Sequence, residues 1–123
     1  MGKSAKQRRD AKYRELSRYM IFVEEVLGSL LPQFKQFNPP IVRTRHWGPF
    51  GGTADNFDVN FIFATRVDTS EAQANGVIQT AADKTISVLR ERGYPPEALL
   101  TFRFRAVSEE EIEEGGGDFA YWR

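Results

Sequence analysis

The chain has 123 residues, 41% of them hydrophobic, no cysteine, and 17 basic side chains against 17 acidic ones. This length supports one hydrophobic core and is short for two; the lack of cysteine excludes disulfides and thiolate chemistry and fits a reducing compartment. The zero net charge conceals a segregation, because residues 1–20 hold seven Lys and Arg against two acids and residues 107–123 hold six acids against Arg123, leaving the head at +5 and the tail at −5.

Residues 1–9 carry no apolar side chain larger than Ala after Met1. They read as a mobile basic arm containing Arg8 and Arg9, with residues 10–123 as a single α+β domain. No secretion signal is evident, and runs such as Met20–Val23 fall far below the ~20 apolar residues of a membrane span. A cytoplasmic protein with no membrane partner is expected.

From Tyr13 the apolar residues Leu16, Met20, Val23, Leu27, Leu30 and Phe34 recur at alternating spacings of 3 and 4, the period of an amphipathic helix. Pro32 should stop or kink this helix near Leu31. Its seam also admits a homodimer. Asn38-Pro39-Pro40 breaks the chain before a first strand, Ile41–Trp47, and a glycine-rich connection follows from Gly48 to Asn56. The second strand alternates cleanly, with Phe57, Val59, Phe61 and Phe63 on one face and Asp58, Asn60 and Ile62 on the other.

Thr69 or Ser70 caps a second helix in this reading, Ser70 and Gln73 having capping-box spacing. Val77, Ile78, Ala81, Thr85, Val88 and Leu89 form its inner stripe, and Gly93 ends it. A third strand, Leu99–Val107, points Leu100, Phe102, Phe104 and Ala106 inward and Thr101, Arg103 and Arg105 outward. The acidic stretch Ser108–Glu114 reads as a helical turn or a loop, and Gly115-Gly116-Gly117 reverses the chain into a fourth, aromatic strand. The expected fold is α+β in the order α-β-β-α-β-β, a mostly antiparallel four-stranded sheet with two helices on one face.

The most specific feature is a pair of arginines at alternate positions in each of two strands, Arg43 with Arg45 and Arg103 with Arg105. Alternate residues share a face, so these four define a candidate cationic surface. Guanidinium groups suit phosphates and carboxylates, and Trp47, Tyr121 or Trp122 would add stacking platforms for single-stranded nucleic acid. The plainer alternative pairs Arg103 and Arg105 with Asp58 or Glu109–Glu111 across neighbouring strands. His46 beside the glycine loop could act as a general acid or base with Asp55, Asp58 or the glutamates, but one histidine is a weak signal and catalysis is not expected. The spacing of one His and scattered acids implies no metal site, and nothing implies a cofactor.

The leading expectation is a non-catalytic protein-interaction module, such as a bacterial immunity or inhibitor-type protein, docking a protein partner through Glu109, Glu110, Glu111, Glu113, Tyr121 and Trp122. The alternative is nucleic-acid binding through Arg43, Arg45, Arg103, Arg105, Arg8 and Arg9, and a second alternative is a small enzyme or ligand-binding protein with its site near His46.

Overall fold

The computed structural model describes the backbone of residues 5–48 and 53–122, and the side chains of residues 18–48 and 53–122. The fold is α+β. A helix α1 (Ala5–Phe34) leads into strands β1 (Arg43–Trp47) and β2 (Asp58–Phe63). Two helices follow, α2 (Arg66–Asn75) and α3 (Val77–Glu91), then a helical turn α4 (Pro96–Leu99), strand β3 (Arg103–Ser108), and short helices α5 (Glu109–Glu114) and α6 (Asp118–Tyr121). No helix among the described residues is long and apolar enough to cross a membrane.

The described sheet has three strands in the order β1-β2-β3 and is mixed, with β1 antiparallel to β2 and β3 parallel to it. Both points correct the expected antiparallel four-stranded sheet. The chain passes from β2 through α2 and α3 before returning to β3, and a helical crossover of this kind brings the second strand back alongside the first in the same direction. The expected fourth strand is instead α6, and α5 precedes it. Ser108 caps α5, its hydroxyl accepting from the Glu111 N–H at 3.1 Å and donating to the Glu111 carboxylate at 3.0 Å. Gly117 N–H then donates to Ile112 O at 2.9 Å, turning the chain back over the sheet before any strand can start.

The core lies between the inner sheet face and the helices. Val23, Val26, Leu27, Leu30 and Phe34 of α1 are buried, as are Ala81, Thr85 and Leu89 of α3, so both expected helix stripes pack inward. Met20 is 41% exposed and departs from the seam, while the side chains of Tyr13 and Leu16 lie outside the described residues. Phe61 anchors the layer, meeting the Phe34 ring edge-on at 5.6 Å and stacking on Phe104 at 5.7 Å between centroids. Tyr94 is buried and donates its hydroxyl to Ala54 O, with desolvation raising its pKa.

Several boundaries differ from expectation. Residues 5–9 of the expected arm are helical, and residues 1–4 lie outside the described residues. Pro32 lies inside α1, which runs on to Phe34. The cap of α2 is Thr65, whose hydroxyl accepts from the Asp68 N–H at 3.1 Å, so neither Thr69 nor Ser70 performs that role. Gly76, at φ +83°, divides the expected single helix into α2 and α3, because a left-handed residue ends the first hydrogen-bonded spiral. Leu100 is 86% exposed, since it follows the turn α4 and precedes the strand whose alternation would have buried it.

Phe61→Ala should cost about 3–5 kcal/mol, and Gly76→Ala, which clashes with nothing but forces a left-handed alanine, about 1 kcal/mol. Urea denaturation curves of the two variants check this ranking.

Candidate functional site

Strand register decides which polar side chains share a surface. Arg45 pairs with Asn60 and Asn60 with Arg105; Trp47 pairs with Asp58 and Asp58 with Arg103; Arg43 pairs with Ile62 and Ile62 with Val107. Paired residues lie on the same side of a sheet, so all four arginines stand on the face opposite the aromatic core. The structure therefore brings the predicted cationic residues together. Arg45 and Arg105 are two strand spacings apart, about 10 Å.

The β1 and β3 arginines have different surroundings. Helices α5 and α6 fold over the end of this face where Arg43, Ile62 and Val107 share a row, and Ile62, Val107 and Ile112 form a small buried cluster there with Tyr121 and Trp122 packed against it. Arg43 donates from Nε to Glu109 at 2.6 Å and from Nη2 to Asp118 at 2.7 Å. Arg45 lies 3.8 Å from Asp118, with its guanidinium 4.6 Å from the centre of the Trp47 ring and 5.2 Å from that of Trp122. It thus packs against two indoles whose own centres are 5.9 Å apart, a cation–π contact with each. The Arg43 hydrogen bond, followed by one from the Trp122 indole, holds the Asp118 carboxyl below its ordinary range, and Arg43 is raised mainly by Asp118.

Arg103 and Arg105 are exposed, and among the described residues neither forms an ion pair or side-chain hydrogen bond. The carboxylate pairing considered for them falls on Arg43 and Arg45 instead. Asp58 stands in the Arg103 row, yet its buried Oδ1 accepts no hydrogen bond among the described residues.

β3 is also an edge strand. Arg103 N–H donates to Phe57 O at 2.9 Å, so by strand alternation Phe104 and Ala106 turn their backbone groups outward. A groove of about 520 Å³ runs there, with Gln73, Gly76 and Gln79 on one side and Phe104 and Arg105 on the other.

The expected partner-binding acids have internal roles. Glu109 bonds Arg43, Glu110 accepts from the Arg66 N–H at 2.9 Å, and Glu111 completes the Ser108 cap. Glu114, outside the expected set, takes both terminal nitrogens of Arg66, which lowers its own pKa and raises that of Arg66. Glu113 is exposed, and Tyr121 and Trp122 are half-buried. The side chains of Arg8 and Arg9 lie outside the described residues.

His46 belongs to the other side of the sheet, against α1 and 6.4 Å from the Phe57 ring. Sheet alternation separates it from Asp58, and its neighbouring carboxylate is Glu24. Desolvation lowers its pKa, with Glu24 and the Met20 backbone pulling the other way. No group of three or more His, Cys, Asp or Glu among the described residues could hold a metal ion.

Sequence reasoning missed the anchoring role of Asp118. Its signal was the spacing to Trp122, which places the two on one side of a helical turn, where the indole donates to Asp118 Oδ1 at 3.1 Å. Comparison with protein-family models, curated proteins and solved structures finds no match to the chain.

Because folding lowers the His46 pKa from 6.5, the unfolded chain binds a proton there that the folded chain resists. Stability should decline as pH falls from 7 towards 5, through His46's unfolded pKa of about 6.5, and His46→Gln should flatten that decline. Thermal melts across this window check it.

Proposed function

We propose that this chain is a non-catalytic binding domain whose outer sheet face takes single-stranded nucleic acid. The observation that carries the reading is the exposed pair Arg103 and Arg105, without ion-pair partners among the described residues, across β2 from Arg45, whose guanidinium lies 4.6 Å from the centre of the Trp47 ring. Cations set the path of a phosphate backbone, while indole and guanidinium planes offer stacking surfaces to unpaired bases. A strand laid over Trp47 and Arg45 would cross to Arg105 and reach the groove beside β3. There the side-chain amides of Gln73 and Gln79 and the outward backbone of the edge could hydrogen-bond base edges.

A protein partner is the second reading, favoured by Phe119 at 82% exposure. An exposed aromatic is a fitting anchor for a docking surface. The inhibitor-type version has less support, since Glu109, Glu110 and Glu111 bond within the chain. The second-alternative site at His46 has less still, its carboxylate neighbour being Glu24 on the core side.

Anisotropy of a labelled oligouridylate, titrated across a salt series, tests the first reading. Affinity should fall steeply with salt, and Arg103→Ala with Arg105→Ala should weaken binding and reduce the salt slope by about 1.4. An unchanged slope in a folded double variant would refute the proposed surface.

A further inference from the structure

The contacts of Arg43 and Arg45 resemble those expected of a bound strand, but they come from the chain's own C-terminal segment. Asp118 supplies an oxygen to Arg43 at 2.7 Å and stands 3.8 Å from Arg45, as a phosphate would. Trp122 lies over Arg45 and 5.9 Å from Trp47, where a base would stack. We propose that residues 115–122 form an anionic lid that competes with nucleic acid for the β1 half of the outer face and is displaced when a strand binds. The inference rests on the nucleic-acid reading above.

Three features suit the segment to this role. It begins with Gly115-Gly116-Gly117, with Gly116 at φ +98° and Gly117 at φ +85°, backbone angles that glycine adopts without strain. Its ion-pairing groups are part-exposed, Asp118 at 47% and Arg43 at 32%, so water and salt can replace them. Tyr121 and Trp122 also pack against the cluster of Ile62, Val107 and Ile112. Glu109 stays on Arg43 from α5, beyond the glycines, so opening would release Arg45 fully and Arg43 in part.

Two full-length variants separate a lid from a simple change of charge. Asp118→Asn removes the carboxylate. Gly116→Ala leaves every charge in place but puts a Cβ 2.8 Å from that of Ala120 at an unfavourable positive φ, forcing the turn open. Both should bind labelled oligouridylate about five- to tenfold more tightly than the parent, as expected when a competing closed state is depopulated. In both, the Trp122 indole N–H resonance should move towards that of a solvated indole.

Tighter binding by Asp118→Asn alone would reduce the effect to charge and overturn the lid. So would unchanged or weaker binding by both variants while the parent binds, and the nucleic-acid reading would then stand. Failure of the parent and both variants to bind would overturn that reading and the lid with it. Circular dichroism establishes that each variant is folded, and Gly117→Ala, whose Cβ meets nothing within 4 Å, replaces Gly116→Ala if that chain does not fold.

Discussion

The alternation of β2 sets the terms for the rest of the molecule. It is the central strand of the described sheet, hydrogen-bonded to β1 on one edge and β3 on the other. Phe57, Val59, Phe61 and Phe63 are fully buried on or next to its inner face, and Asp58, Asn60 and Ile62 occupy the outer one. A shift of one residue in either pairing would bring the arginines of the neighbouring strand to the aromatic side, at the heavy cost of burying charge in an apolar layer. The aromatic core therefore fixes the outer surface, and Phe61 packing is a precondition for grouping Arg43, Arg45, Arg103 and Arg105 on one face.

That surface is divided unequally. At the β1 end, apolar cover from Ile112, Tyr121 and Trp122 draws α5 and α6 onto the sheet, and the carboxylates they carry settle on Arg43 and Arg45. Hydrophobic contact is the main driving force here, since exposed ion pairs contribute only ~0–1 kcal/mol each. The pairs fix which way the segment lies. Arg66 and Glu114 tie α5 to the start of α2 in the same way. Glu109, Glu114 and Asp118 are thereby engaged by Arg43, Arg45 and Arg66, while Asp58 stays in the Arg103 row.

Sequence reading recovered what depends on strict periodicity. The inner and outer sets of β2, the α1 seam from Val23 to Phe34 and the four-arginine face all follow from periods of 2 or 3.6. It failed where local chemistry or chain path overrode period. Thr65 and Asp68 cap α2 ahead of the more obvious Ser70, and the αL angle of Gly76 splits a continuous apolar stripe. The parallel return of β3 depends on which strands become neighbours, which no window of sequence encodes. For Phe119-Ala120-Tyr121-Trp122, aromatic β propensity suggested a strand, yet burial of Trp122 against Arg45 and Tyr121 against the small cluster is achieved by one helical turn.

A chain of zero net charge can still attract a polyanion, because the field at a surface is local. At physiological ionic strength the Debye length is about 8 Å, so a phosphate above Arg105 is largely screened from charges at the far end of the domain. It feels Arg105 and Arg103 directly, while the carboxylates of Glu109, Glu114 and Asp118 already have guanidinium partners. Asp58 is the exception within the face, a carboxylate beside Arg103 that tempers the attraction at that row. In the row of Arg45, Asn60 and Arg105 the strands contribute no acid, Asp118 reaching Arg45 from α6. In the proposed reading, charge and stacking would converge on that row, between Arg45 beside Trp47 and the groove at the β3 edge.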